Sequence, residues 1–108
     1  MPSERTTFEN AHGQRLSARL DEPAVGPPRG WAIFAHCFTC SKNLKAVRYV
    51  AKRLVDHGWG VMSFDFTGLG ESEGDFGADG LSGDVADLRA AAAWLTQQRT
   101  APSLLVGH

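Results

Sequence analysis

The stretch WAIFAHCFTCSKN, Trp31 to Asn43, decides how the rest of this 108-residue chain is read. WAIFAH is a nearly continuous apolar run, the pattern of a strand covered on both faces rather than on one. Behind it come a histidine and the chain's two cysteines, Cys37 and Cys40, in a C-x-x-C spacing. The pair sits between a strand and a helix start. The three open readings there are a redox pair, half of a zinc site, or small loop residues.

Downstream of that stretch, Leu44, Val47, Val50, Ala51, Leu54 and Val55 recur at helical spacing, with Lys45, Arg48, Lys52 and Arg53 on the other side. Gly58 stops this helix. GVMSFDF, Gly60 to Phe66, is a second buried strand, followed by the glycine-rich loop TGLGESEGDFGADG. A second helix is predicted from near Ser82, with Asp84 and Asp87 in its first turn, where carboxylates complement the helix dipole. Val85, Leu88, Ala92 and Leu95 give that helix its apolar stripe, and SLLVGH closes the sequence as a third buried strand. Upstream, EPAVGPPRG (Glu22 to Gly30) is linker-like. Before it, TTFEN and RLSARLD flank AHGQ, and Leu16, Ala18 and Leu20 share one face, so an antiparallel hairpin is predicted.

The order is therefore hairpin, then β-α-β-α-β. Strand–helix–strand crossovers are right-handed and build parallel sheets with helices on the faces. The prediction is an α/β fold with a mostly parallel core of strands near 31–36, 60–66 and 103–107 and the hairpin at one edge. In such sheets the ligand crevice lies outside the carboxyl ends of the strands. HCFTC, TGLGESEG and the terminal GH converge there.

Composition narrows the function classes. A formal charge of −1, with 21% charged and 43% apolar residues, is ordinary for a soluble globular chain and points to no nucleic-acid or membrane partner. MPSERTTFEN has no apolar core of a secretion signal, and no apolar run approaches the ~20 residues that span a bilayer. A cytoplasmic location, one small domain or part of a larger one over 1–108, and no cofactor are the expectations.

The redox reading of the cysteines has sound physics, since a helix N-terminus lowers a thiol pKa. A thioredoxin-like site, however, would place a later proline loop against the thiols. The only later proline, Pro102, precedes the last strand. A structural zinc site needs four ligands, usually as two spaced pairs, whereas His12, His36, His57 and His108 are scattered. No metal is expected.

Gly68, Gly70 and Gly74 follow a strand as in a dinucleotide fingerprint, but Glu71, Glu73 and Asp75 would repel a pyrophosphate. DFGADG lacks the ligands of a calcium loop, with Gly77 and Ala86 at ligand positions. A tight turn with Ser72 as a local cap is left. For Asp65 two readings stay open, a loop anchor or a solvated strand end. LLVGH is a buried strand followed by Gly107 and His108, the first two residues of a G-x-S-x-G nucleophile elbow.

WAIFAHCFTCSKN, FDFTGLGESEGDF and SLLVGH together resemble the first half of an α/β-hydrolase, most closely the hydrolase modules fused to osmotically inducible protein C (OsmC)-like domains. The resemblance covers about residues 31 to 108. In the general family the first loop reads His-Gly-x, and the backbone N–H of x is an oxyanion-hole donor. That match makes Phe38 the donor, with Cys37 in the glycine's place and His36 as the histidine that shapes the loop. Asp65, Gly68, Gly70 and Ser72 then form the turn loop at the crevice, and Gly107 and His108 open the elbow.

The resemblance implies the amino-terminal part of a serine-type hydrolase of esters or related acyl compounds, with a small-molecule substrate. The catalytic serine, histidine and acid are expected beyond His108, so the 108 residues alone would not turn over substrate by this mechanism. The alternatives are a thiol-disulfide redox protein using Cys37 and Cys40, and a non-catalytic binding module on the same fold. Substrate identity and oligomeric state are not encoded in these residues.

Overall fold

The computed structural model describes residues 3–35, 45–67, 72 and 80–107. Among these residues, strands and helices follow in the order β1 (Ser3–Glu9), β2 (Arg15–Asp21), β3 (Trp31–Ala35), α1 (Lys45–Asp56), β4 (Gly60–Phe64), α2 (Gly80–Gln98) and β5 (Leu104–Gly107). The strands form one sheet in the order β1-β2-β4-β3-β5. β3 is parallel to both β4 and β5, whereas β1–β2 and β2–β4 are antiparallel. The expected parallel core with a hairpin at one edge is what is found. β1 begins three residues before TTFEN, at Ser3, and β4 ends at Phe64, two residues short of the expected end.

Alternation along β4 assigns the two faces. Val61 packs with Ala51 and Val55 of α1, while Met62 and Phe64 pack with Ala91 and Leu95 of α2. Leu16, Ala18 and Leu20 lie on the α2 face, as their alternation predicts, together with Phe8, Trp31 and Ile33. One helix therefore covers each side. The Phe8 and Phe64 rings meet edge to face with centroids 5.5 Å apart. Burying one such side chain contributes about 1.5–3 kcal/mol, so this face carries most of the described core.

Two glycines are required by geometry. Gly58 has φ +92° and ends α1 in a Schellman motif: its N–H donates to the Val55 carbonyl at 2.9 Å, and the Trp59 N–H donates to that of Leu54 at 3.0 Å. At Gly60, a Cβ would stand 2.7 Å from the Trp31 ring, so only hydrogen fits beside that indole.

Three helix expectations need correction. Arg48 does not sit on the solvent side of α1. It reaches the sheet, where Nη1 donates to Asp21 Oδ2 at 2.8 Å and Nη2 to Ser63 Oγ at 2.9 Å. A fully buried Asp21 carboxylate demands such donors; Ser3 Oγ donates to it at 2.5 Å and Arg19 Nε at 3.3 Å. Secondly, α2 starts at Gly80, so Asp84 and Asp87 lie beyond its first turn, and Asp87 is buried rather than set at the helix end. Thirdly, Val85 is 44% exposed, and the most buried line of α2 is Asp87, Ala91 and Leu95. In a helix containing RAAAAWL, alanines lie on every side, and the phase of the apolar stripe is weakly defined.

The far end of α2 is tied down by Arg99. Its guanidinium donates to Glu22 at 2.8 Å and Glu4 at 3.3 Å and lies 5.9 Å over the Trp31 ring. The hydrogen bond to Glu22 raises its pKa above the ordinary arginine value, so it stays charged throughout.

Candidate active site

Parallel pairing aligns the carboxyl ends of β4, β3 and β5. Phe34 is paired with Ser63 on one side and Val106 on the other, and Ala35 is paired with Gly107. Strands in such a sheet lie about 4.8 Å apart. The chain therefore leaves β3 toward His36, β4 toward Asp65 and β5 toward His108 from adjacent points on one sheet end. His36, Cys37, Phe38, Cys40, Gly68, Gly70 and His108 themselves lie outside the described residues.

The described members of the expected site are Asp65, Ser72 and Gly107. Asp65 is fully buried, which removes the solvated-strand-end reading. Its main chain is an anchor: the N–H donates to the Ser17 carbonyl at 2.9 Å, and the carbonyl accepts from Ser72 Oγ at 2.5 Å. Ser72 Oγ also accepts the Ser17 N–H at 2.9 Å. The residue expected to be a local cap thus bridges β2 to the residue after β4. Gly107 ends β5 beside Ala35. No helix formed by the described residues is long and apolar enough to cross a membrane.

A second anchor was not legible in the sequence. Asp87 Oδ2 accepts the Thr67 N–H at 2.8 Å and the Thr67 hydroxyl at 2.7 Å. Thr67 Oγ1 in turn accepts from Asn10 Nδ2 at 3.1 Å. Asn10 is itself buried, and its Oδ1 accepts the N–H groups of His12 and Gln14, each at 2.9 Å, which closes the β1–β2 turn. A carboxylate oxygen, a hydroxyl and an amide thus join α2, the exit of β4 and the hairpin turn. The only available signal was a polar residue on the same helix line as Ala91 and Leu95.

Searches for similar proteins give a consistent fold. No family model matches the chain, and no curated protein does. Among solved structures, the esterase domain of a Rhodothermus marinus protein is 47% identical across 100% of this chain and 40% of its own length, with a TM-score of 0.78. An α/β serine hydrolase without a lid from Xanthomonas campestris is 31% identical over 99% of this chain and 51% of its own, at a TM-score of 0.82. Est1E from Butyrivibrio proteoclasticus, solved with ferulic acid bound, superposes at a TM-score of 0.86 with 23% identity over 95% of this chain and 42% of its own. The chain thus spans two fifths to about half the length of these structures. Over that span it has the α/β-hydrolase fold.

Proposed function

We propose that residues 1–108 are the amino-terminal part of a serine-type α/β-hydrolase domain that cleaves small esters or related acyl compounds. The observation that carries this reading is the pairing of Ala35 with Gly107. Ala35 precedes HCFTC and Gly107 opens the G-H step, and this reading has an oxyanion donor and a nucleophile meet near there around one carbonyl carbon. Identity of 47% along the whole chain with an esterase domain supports it.

In this reading the Phe38 N–H is one oxyanion donor, His36 and Cys37 shape its loop, and Gly107 and His108 begin a turn whose next residue is the nucleophilic serine. That serine attacks the acyl carbon, a histidine takes its proton and passes it to the leaving alcohol, and an acid orients the histidine. In this reading all three follow His108 in the full-length protein. The reading requires no cofactor. It extends to a cytoplasmic protein, the expectation from composition and the amino-terminal sequence, and to a fused OsmC-like domain, supported by the motif resemblance alone.

The test is hydrolysis of p-nitrophenyl acyl esters by the full-length protein, with a fluorophosphonate probe and mass spectrometry to locate the labelled residue. Turnover with the label on a serine directly after His108 is the expected result. Turnover insensitive to the probe but abolished by thiol alkylation would replace this reading with thiol chemistry at Cys37 and Cys40. A residue other than serine after His108, with no turnover, would leave a binding module.

A further inference from the structure

Asp87 is a buried carboxylate that the proposed reaction does not use, and its partners are where the site loop begins. Thr67 is the last described residue before Gly68, and Ser72 is described on the other side of that short gap. Both are held. Thr67 gives its N–H and hydroxyl to Asp87, while Ser72 is bonded to Asp65 and Ser17. The segment containing Gly68 and Gly70 is therefore bounded by two residues whose positions are set by different elements, α2 on one side and the β2–β4 pair on the other.

The chemistry of the Thr67 contact is directional. Its hydroxyl donates to Asp87 and accepts from Asn10, so both of its capacities are used and its rotamer is fixed. A carboxylate acceptor makes the bonds from Thr67 charge-assisted, shorter and stronger than neutral ones. A buried anion left without those donors would be costly. Such a group is suited to holding a backbone segment in one position and poorly suited to being a passive part of an apolar helix face.

We propose that Asp87 and Thr67 are positioning residues: the Asp87–Thr67–Asn10 relay sets where the chain leaves β4, at the same end of the sheet as the paired Ala35 and Gly107. The kinetic consequence rests on the hydrolase reading, whereas the anchoring itself does not.

The test uses the full-length protein with Asp87→Ala, Thr67→Val and, as the conservative control, Thr67→Ser. Amide hydrogen exchange over Thr67–Ser72 and the Asn10–Gln14 turn is measured together with kcat and KM for ester hydrolysis, normalised to fluorophosphonate-titrated sites. Expected are faster exchange confined to those two segments in the first two variants and near-native behaviour of Thr67→Ser. kcat/KM per titrated site should fall by about tenfold or more, on the scale of the ~100-fold that a 1 Å displacement near the chemistry can cost. Should Asp87→Ala fail to fold, Asp87→Asn, which keeps the shape but not the charge, carries the same comparison. Folded variants with unchanged exchange over Thr67–Ser72, or with kcat/KM per titrated site within about twofold of native, overturn the proposal. A wild-type protein with neither turnover nor labelling removes the hydrolase reading and the kinetic consequence, and the exchange comparison alone then decides the anchoring.

Discussion

Ala35 and Gly107 stand side by side at the carboxyl end of the sheet, paired across the parallel strands β3 and β5. They are 72 positions apart in the sequence, and the chain between them passes through two helices and β4. That single pairing sets the residue before HCFTC beside the first residue of the terminal Gly-His. It depends on β3 lying in the interior of the sheet, with β4 on one side and β5 on the other.

If the catalytic contribution of the HCFTC loop is a main-chain N–H, the thiols are dispensable. Cys37→Ser combined with Cys40→Ser should leave most esterase activity in the full-length protein, because serine supplies the same backbone group. The check is kcat/KM of the folded variant. A loss beyond about a hundredfold, the scale of one missing oxyanion donor, would assign the thiols a direct role.

Replacing Arg48 by Met tests the buried ion pair under α1. Asp21 is fully buried, and Arg48 reaches it at 2.8 Å. Removing one partner of a buried pair costs about 3–5 kcal/mol. Arg19 also reaches Asp21, at 3.3 Å, which places the expected loss near the lower value. Urea denaturation should show it, and adding Asp21→Asn to Arg48→Met should recover part of it. A single-variant loss below about 1 kcal/mol, the range of exposed pairs, would show that the contact is merely peripheral.

Gly60→Ala sets one methyl against the Trp31 indole, 2.7 Å away. Overpacking of this kind costs about 1–3 kcal/mol. Trp31 is buried in the main core, so its fluorescence should shift along with the denaturation midpoint. An unchanged midpoint would mean that the indole moves aside at no cost.

The parallel core was legible because WAIFA, GVMSF and LLVG are apolar without alternation, and the hairpin because Leu16, Ala18 and Leu20 alternate. Gly58 was legible as a helix stop for a similar local reason. What escaped was long-range polar pairing. Arg48 reads as one more cation on a basic helix face until Asp21, distant in sequence, is placed beneath it. Asp87 reads as a first-turn acid until Thr67 and Asn10 arrive from two other elements. In each case hydrophobic periodicity decides the element, but the partner of a buried charge comes from another element, which a local pattern cannot specify. Of the site, the meeting of strand ends at one edge was legible from topology alone, and the double role of the Ser72 hydroxyl was not.

The polypeptide of residues 1–108, expressed alone, should associate. Among the described residues β5 is the last strand in the sheet order and pairs with β3 alone, so its outer edge carries no described strand partner. Its side chains are apolar, yet Leu104 is 38% and Leu105 57% exposed. Ile33, Leu88, Ala92, Pro102, Leu104 and Leu105 line a groove of about 280 Å³ between this edge and α2. An exposed, apolar edge strand is a template for pairing with another chain. Light scattering at increasing concentration should therefore show growing mass, and a urea titration should show a shallow transition. Leu105→Lys, which charges the edge, should reduce the association without touching the β3–β4 core. A monodisperse 11.7 kDa monomer with a steep transition would contradict the prediction. It would also count against the proposal that these residues are one part of a larger hydrolase domain, since they would then fold as a stable unit by themselves.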